Sequence, residues 1–414
     1  MALQPCLLPR GQGVFQAHRC RTRSSRHATI CRHVSAGTHD PDLARNHISR
    51  RDALLAGISS VAAAQALSPA HAPAAQSANL DPVTPVNITP KETVELGQSG
   101  LKVSSMGIGA WSFGDRTGYW GYGSDYQKED NFGAYQALVK EGITFVDTAE
   151  VYGFGNSEEF LGEFMKTTET KPVIATKFAP LPWRFTSKSV VSACRASLDR
   201  LGIEKAGLYM QHWPGILTNG PFNDAFVEGL GDCARLGLTQ AVGVSNFSAE
   251  RVRRANSILQ AKGVPLASNQ VQYSLLYRVP EVNGVADAVR EAGATLVAYS
   301  PLAQGLLTGK YNKNNLPKGP RGITITADRV AEVEPLLSLM RDIGSAHGGK
   351  TPGQVAINWT VCKGALPIPG AKNARQVREA AGALGWRLNP DEVAALDKSS
   401  SKIGTALGAP FEKW

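Results

Sequence analysis

The stretch of sequence that decides the fold is 143–177, ITFVDTAEVYGFGNSEEFLGEFMKTTETKPVIATK. It contains two short apolar runs, 143–147 and 173–177, separated by an amphipathic segment at 157–166. Short apolar runs of this length indicate buried strands, and the spacing of the apolar residues between them indicates a helix. Two strands joined through a helix lie parallel in one sheet, since the connection is long enough to bring the chain back. The stretch therefore predicts a strand–helix–strand unit.

The same alternation continues along the chain. The predicted strands are 105–108, 143–147, 173–177, 207–211, 240–243, 266–270, 295–299 and 365–368. The predicted helices are 130–140, 157–166, 187–201, 223–236, 249–261, 282–291, 351–362 and 373–384. Eight strands alternating with helices predict an α/β fold, a (β/α)₈ or TIM barrel. An N-terminal β-hairpin at 93–103 and extra helices at 328–347 and 390–399 are expected as additions to it.

An open, doubly wound sheet is the competing fold. It normally carries a G-x-G-x-x-G run after its first strand, where the glycines let the backbone approach a dinucleotide. The two Gly-x-Gly pairs, at 107–109 and 153–155, lack the third glycine. Gly309-Lys310 is followed by tyrosine and is therefore not a phosphate-binding P-loop. The barrel is favoured.

The positive charge of the chain is concentrated at its start. The 414 residues carry a formal net charge of +9, and residues 1–75 account for +6, with nine Arg and no Lys against three Asp. The remaining residues are therefore close to neutral at +3. A nearly neutral body has no strong field for a polyanion, so no nucleic-acid partner is expected.

The first 75 residues have the composition of a targeting presequence. They are rich in Arg, Ser and Ala, and no acidic residue precedes Asp40, as in organellar transit peptides. Ser49-Arg50-Arg51, followed by an apolar run at 53–67 and Ala70-His71-Ala72, resembles a twin-arginine export signal. We expect 1–75 to be a disordered presequence directing the protein to the chloroplast. One long Ala-rich transit peptide that happens to contain Arg-Arg is the alternative.

The presequence bears on compartment and on domain organisation. Its apolar run is shorter than the roughly 20 residues that span a membrane, so no integral membrane segment is expected. Residues 76–90 are predicted to be a linker and 91–414 the barrel. The stroma or the stromal thylakoid face is favoured, and the thylakoid lumen stays open because of the twin arginine.

Four polar residues fall at or just after predicted strand ends, namely Asp147, Tyr152, Lys177 and His212. Strand ends of a barrel converge on one mouth, where they build a common site. A tyrosine can donate a proton to a carbonyl oxygen if a nearby ammonium lowers its pKa, which Lys177 would do and Asp147 would support. His212 would orient the carbonyl. With only two His after residue 75 and no C-x-x-C, no metal site is expected.

These residues carry a resemblance to the aldo-keto reductase family, especially to its plastid-targeted plant and algal members. The motifs that carry it are Asp147-Thr-Ala-Glu-Val-Tyr152-Gly153, Ala175-Thr-Lys177-Phe178, Gln211-His212-Trp213-Pro214, Gly243-Val-Ser245-Asn246-Phe247, Ser268-Asn269-Gln270, Tyr299-Ser-Pro-Leu-Ala-Gln-Gly305 and Ile368-Pro369-Gly370. The resemblance implies an enzyme that uses NADP(H) to reduce an aldehyde or ketone, with Tyr152 as proton donor. It implies a dinucleotide bound across the barrel mouth.

The resemblance also implies a set of binding residues. Those expected at the nicotinamide are Ser245, Asn246, Gln270 and Tyr299. Those expected in the loop around the pyrophosphate are Ser300, Pro301, Leu302, Gly305 and Leu307. Those expected at the adenosine end are Lys372, Gln376 and Glu379, although Gly370 stands where many members have lysine. Trp111 and Trp213 are expected to line the pocket for a small carbonyl substrate.

Two other functions remain open from the sequence. One is a regulatory subunit that senses NADPH with little turnover, as the potassium-channel β-subunits of this superfamily suggest. The other is NAD(P)-linked oxidation of an alcohol or sugar. The sequence does not indicate an oligomeric state.

Overall fold

The computed structural model describes residues 93–169 and 171–405. The predicted presequence at 1–75 and linker at 76–90 lie outside these residues. The described part begins with an antiparallel hairpin of β1 (Thr93–Glu95) and β2 (Lys102–Ser104), as predicted. Two loop glycines, Gly97 at φ 55° and Gly100 at φ 72°, take the left-handed conformation that the turn requires.

Eight parallel strands follow and form the predicted barrel. They are β3 (Ile108–Gly109), β4 (Phe145–Asp147), β5 (Val173–Phe178), β6 (Ala206–Gln211), β7 (Thr239–Ser245), β8 (Leu266–Gln272), β9 (Thr295–Tyr299) and β10 (Leu366–Ile368). Each pairs with the next in chain order. The ring closes between the last and first strands, where the amides of Gly107 and Gly109 each donate a 3.0 Å hydrogen bond to a carbonyl, of Pro367 and Pro369 respectively. The carboxyl ends of all eight strands consequently share one mouth.

Helices connect the strands and surround the barrel. They are α1 (Lys128–Lys140), α2 (Asn156–Met165), α3 (Ser187–Leu201), α4 (Asn223–Arg235), α5 (Ala249–Ala261), α6 (Val279–Val282), α7 (Val285–Glu291), α8 (Ala327–Ala346), α9 (Pro352–Cys362), α10 (Ala374–Ala381) and α11 (Pro390–Ser400). Side-chain caps fix several starts. The hydroxyls of Thr186 and Thr351, for example, accept hydrogen bonds from backbone amides of the first turn.

The hairpin closes the barrel end opposite the mouth. Leu96 and Val103 are fully buried against interior residues of the barrel such as Phe145 and Leu208. The amide of Gly97 donates to the hydroxyl of Thr295, the first residue of β9, at 2.8 Å. Burial of each such side chain contributes on the order of 1.5–3 kcal/mol. The hairpin thus covers one end of the barrel, and the other end, the mouth, stays open for a ligand.

The structure corrects two predicted elements. The first barrel strand was expected at 105–108 but is Ile108–Gly109, because only these two residues pair with β4. The helix expected at 282–291 is split into α6 and α7 by Gly284 at φ 81°. The other predicted helices are present: 187–201 and 249–261 have the predicted ends, and the ends of the rest differ by at most three residues.

Candidate active site

Four polar side chains converge at the mouth, three of them from strand ends and one from the turn that follows β4. Asp147 is the last residue of β4, Lys177 is the penultimate residue of β5, and His212 directly follows β6. Tyr152 opens a short 3₁₀ turn, Tyr152–Gly155, between β4 and α2. Gly153 is required in that turn because a Cβ there would lie 2.3 Å from the carbonyl oxygen of Gly114.

Lys177 is the centre of the site. Its ammonium donates to Asp147 Oδ1 at 2.5 Å, to the carbonyl of Thr148 at 2.9 Å and to the hydroxyl of Tyr152 at 3.1 Å. Lys177 is 0% exposed, so all three ammonium hydrogens are used inside the protein. On the other side of the tyrosine, His212 Nε2 lies 3.5 Å from the same hydroxyl. The four predicted catalytic residues therefore form one contiguous cluster.

The electrostatics of the cluster follow from its burial. Burial alone would lower the pKa of Lys177, but Asp147 and Tyr152 raise it above its ordinary value, so the ammonium is permanent. Burial raises the pKa of Tyr152, and the nearby ammonium offsets only part of that rise. This corrects the sequence-based expectation of a lowered tyrosine pKa. Burial, with repulsion from Lys177, holds the pKa of His212 well below its usual range, so the imidazole is neutral.

A chain of hydrogen bonds runs from this cluster along the neighbouring strands. The side-chain amide of Gln270 donates to Asp147 Oδ2 at 2.8 Å, and the backbone carbonyl of Gln270 accepts from the hydroxyl of Ser245 at 2.7 Å. Asn246 donates to the carbonyl of His212 at 3.0 Å and accepts from the hydroxyl of Tyr299 at 3.0 Å. The four residues expected at a nicotinamide thus lie together beside the cluster.

The loop after β9 has an unusual backbone. Ser300, Ala303 and Gln304 have φ of 52°, 45° and 56°, and Gly305 follows at 96°. Non-glycine residues in this region are strained, and such strain collects at ligand-binding segments. Of the other residues predicted here, Leu302 is half-buried, whereas Pro301 and Leu307 are buried, so only their backbone can face a ligand.

Cations collect beside this loop. The ammonium of Lys372 contacts the carbonyl of Trp120 and lies 5.7 Å from the centre of its ring, while the guanidinium of Arg321 lies 5.2 Å from the same ring. Burial, assisted by Arg321 and Lys310, lowers the pKa of Lys372 to about 8. Arg321 Nε and Trp120 Nε1 are buried without a hydrogen-bond partner among the described residues. The arrangement is suited to an anion.

Two residues predicted at the adenosine end have protein partners. The side chain of Gln376 accepts a 2.7 Å hydrogen bond from the backbone amide of Lys372 and so helps to fix the backbone at that residue. Glu379 accepts from the hydroxyl of Thr351 at 2.5 Å and is tied to the start of α9.

The family assignment follows from comparison with known proteins. The sequence profile of the Aldo/keto reductase family matches residues 105–401. The chain belongs to the aldo-keto reductase family. This aldo-keto reductase is 40% identical over 324 residues to the chloroplastic pyridoxal reductase of Arabidopsis thaliana, covering 76% of this chain and 87% of that protein. It is 37% identical over 286 residues to an uncharacterized oxidoreductase of Mycobacterium bovis, covering 67% and 83%.

Solved structures place this aldo-keto reductase in the same fold. The glycerol dehydrogenase of Gluconobacter oxydans matches with a TM-score of 0.64 and 26% identity, over 77% of this chain and 98% of that one. An aldo-keto reductase from Klebsiella pneumoniae in complex with NADPH matches with a TM-score of 0.57 and 27% identity, over 74% and 94%. The predicted family and barrel are confirmed.

The two predicted pocket tryptophans differ in environment. Trp111 is 41% exposed, and its ring centre lies 6.1 Å from that of Tyr152 at a shallow interplanar angle of 27°. Tyr119, which the sequence did not single out, stacks on Trp111 at 5.4 Å. Trp213 is only 9% exposed and packs on the ring of His212 at 4.5 Å. Trp111 is available to a ligand, whereas Trp213 mainly supports the histidine.

Sequence reasoning missed four further residues near the mouth. Arg321 and Lys310 lie in the long loop between β9 and α8, which has no periodic pattern to mark them. Glu150 and Arg184 form an ion pair between the loops that follow β4 and β5. The sequence shows that these four residues are charged, but it does not show which residues of other loops they contact.

Metal and membrane features were also sought in residues 93–169 and 171–405. No group of three or more His, Cys, Asp or Glu side chains there could hold a metal ion. None of the helices described in this part of the chain has the length and apolar character needed to cross a bilayer.

Proposed function

We propose that this aldo-keto reductase uses NADPH to reduce an aldehyde or ketone to the alcohol, with Tyr152 as the proton donor. The observation that carries the proposal is the position of the Lys177 ammonium, which bonds to the Asp147 carboxylate and the Tyr152 hydroxyl at once. A purely structural ion pair would not need a tyrosine beside it at the mouth. Reduction of a carbonyl needs a proton donor there, and the tyrosine supplies one.

The residues divide the proton work between them. Because Lys177 donates to the tyrosine oxygen, the phenolic hydrogen points away from it toward the mouth, where a carbonyl oxygen would accept it. Neutral His212, on the far side of that hydroxyl, can hydrogen-bond the same carbonyl oxygen and orient it. As the proton leaves, the phenolate is stabilised by the adjacent ammonium, which Asp147 keeps in place.

NADPH would supply the hydride when bound. Ser245, Asn246 and Gln270 would hold the carboxamide, with Tyr299 against the ring. The strained loop at 300–305 would approach the pyrophosphate through its backbone amides. The unpaired donor of Arg321 and the ammonium of Lys372 suit a phosphate, since neither forms an ion pair with any described residue. These features favour NADPH over NADH.

The substrate that fits the mouth best is a planar aromatic aldehyde such as pyridoxal. The support is the exposed Trp111 backed by Tyr119, a surface on which a flat ring can stack, and the similarity to a pyridoxal reductase. The chloroplast is the proposed location because that relative is chloroplastic and residues 1–75 have transit-peptide composition.

The test is NADPH oxidation with pyridoxal, benzaldehyde and acetaldehyde, for the wild type and Tyr152→Phe. We expect turnover with the aromatic aldehydes first, and a loss of at least about a hundredfold in kcat in the variant. Tyr135→Phe is the matched control, because its hydroxyl bonds to Thr168 on the barrel's outside, away from the mouth. If wild type and Tyr152→Phe bind NADPH but are equally inert, the protein is a cofactor-sensing subunit instead.

A further inference from the structure

Glu150 lies between two catalytic residues and has a set of contacts that the proton chemistry does not use. It is three residues after Asp147 and two before Tyr152. Its carboxylate accepts from the amide of Ala179 at 2.6 Å and from both terminal nitrogens of Arg184, with Nη2 at 3.0 Å. Ala179 is two residues after Lys177. One carboxylate therefore joins the segment that carries the tyrosine to the segment that carries the lysine.

Arg184 completes the connection from the loop after β5. Its Nη1 also donates to the carbonyl of Ala179 at 2.7 Å, and its guanidinium lies 5.0 Å from the ring centre of Phe178. Asn219, from the loop after β6, donates to the carbonyls of Pro180 and Leu181 at 2.8 and 3.0 Å. The loop after β5 is thus fixed from both sides.

The ion pair is of the kind that fixes geometry. The side chains of Glu150 and Arg184 are only 9% and 18% exposed, and both carboxylate oxygens are bonded. Paired donors on a planar guanidinium set both distance and angle, unlike a single ammonium contact. Exposed pairs lack this effect because water and side-chain freedom weaken them.

We propose that Glu150 and Arg184 are positioning residues that keep the Tyr152 hydroxyl at hydrogen-bonding distance from Lys177. The proposal rests on the proposed reductase function. At Glu150 itself the backbone contact to β5, from its amide to the Lys177 carbonyl, is long at 3.4 Å, so its carboxylate is the shorter tie to the segment after β5, at 2.6 Å from the amide of Ala179. Displacement of a reacting group by about 1 Å can cost on the order of a hundredfold in rate.

The pH profile separates positioning from general stability. The charged or titratable groups that face Tyr152 are Lys177 from β5, Asp147 from β4 and His212 after β6. If the tyrosine moves away from Lys177, it loses the cation that favours its phenolate, and its pKa rises. The alkaline fall of kcat for reduction, which follows loss of the donor proton, should then move to higher pH.

The experiment compares Arg184→Gln with Arg184→Lys. The first removes both the positive charge and the paired guanidinium donors, whereas the second keeps the charge but loses the paired donors. We expect Arg184→Gln to lower kcat about tenfold to a hundredfold, to leave the Kd for NADPH within about twofold, and to shift the alkaline limb upward. Arg184→Lys should fall between it and the wild type. The double variant Glu150→Gln/Arg184→Gln should be no worse than the single one, since both changes break the same contact.

The control is Arg254→Gln, which breaks the exposed pair with Asp224 on the outer helices and should leave kcat unchanged. Crystal structures of the wild type and Arg184→Gln provide a readout that needs no turnover. The Lys177 Nζ to Tyr152 oxygen distance, 3.1 Å in the wild type, should lengthen beyond hydrogen-bonding range in the variant. An unchanged distance, or an unchanged kcat in an active enzyme, overturns the proposal. An inert wild type refutes the reductase function, while the crystal structures still decide the positioning role.

Discussion

At the scale of single residues, the site depends on how one buried lysine is shared. Lys177 holds a carboxylate on one side and a phenol on the other, and no water reaches it. The lysine therefore stays charged while the tyrosine stays protonated. The motifs around Asp147, Tyr152 and Lys177 predicted the group but not the direction of the tyrosine's pKa shift, which depends on burial in the assembled mouth.

The rate of reduction should be independent of pH through the neutral range. Tyr152, whose pKa is raised, keeps its proton, and His212, whose pKa is lowered, stays neutral. As pH rises, kcat should fall only above the ordinary tyrosine value of about 10. The measurement is kcat against pH at saturating NADPH and aldehyde. A fall on the acid side near about 6.5 would show that the histidine titrates and would contradict this assignment.

Removal of Lys177 should affect stability and catalysis separately. Lys177→Met leaves the Asp147 carboxylate buried without its cation, which costs about 3–5 kcal/mol in the free energy of unfolding. It should also lower kcat by at least about a hundredfold. Adding Asp147→Asn removes the stranded charge. The double variant should regain most of the stability in urea unfolding but none of the activity, and recovery of activity would show that the ion pair is only structural.

At the scale of elements, the local pattern of apolar residues predicted the strands and helices but not the conformations of the loops. Periodicity located all eight barrel strands and the helices between them, because burial on one face repeats at a period that short sequence windows show. The errors are at Gly284, where a left-handed residue splits a helix, and at β3, whose register is set by ring closure. The loop between β9 and α8 has no periodic pattern of apolar residues, so the sequence does not locate Arg321 within the fold.

The cation cluster on these loops should make cofactor binding depend on pH. Lys372, with a pKa of about 8, would bind a phosphate as the ammonium, and a bound phosphate would favour that charged form. The affinity for NADPH should therefore weaken as pH rises through about 8. Lys372→Met should raise the Kd for NADPH about tenfold and abolish this dependence, as measured by fluorescence titration.

Two comparisons check the origin of that effect. Lys398→Met, on the exposed face of α11, removes an equal charge away from the mouth and should leave the Kd for NADPH unchanged. The Kd for NADH should also be insensitive to Lys372→Met if the lysine contacts the 2′-phosphate. Equal weakening of both cofactors would instead assign Lys372 to the pyrophosphate.

At the scale of the whole molecule, the net charge of the full chain differs from the net charge of the barrel. Two thirds of the excess positive charge, +6 of +9, falls in residues 1–75, so the barrel is nearly neutral. We therefore expect single cations such as Lys177, Arg184 and Lys372 to act through their positions rather than through their sum. A bulk property such as the isoelectric point therefore describes residues 1–75 more than the rest of the chain.

The targeting prediction is tested with a fluorescent reporter. Residues 1–75 fused to it should direct it to plastids and leave it in the stroma or on the stromal thylakoid face. Arg50→Lys with Arg51→Lys should not change this location. Protection of the reporter inside thylakoids, lost in the twin-lysine variant, would place the enzyme in the lumen.

The alternation of strands and helices, the family and the four residues proposed as catalytic all follow from the sequence, because local periodicity and short motifs record them. Three features appear only in the folded chain. They are the pairing of Glu150 with Arg184, the meeting of Arg321 and Lys372 at Trp120, and the raised pKa of Tyr152. Each depends on distances between loops far apart in sequence or on exclusion of water, and the closed barrel sets both.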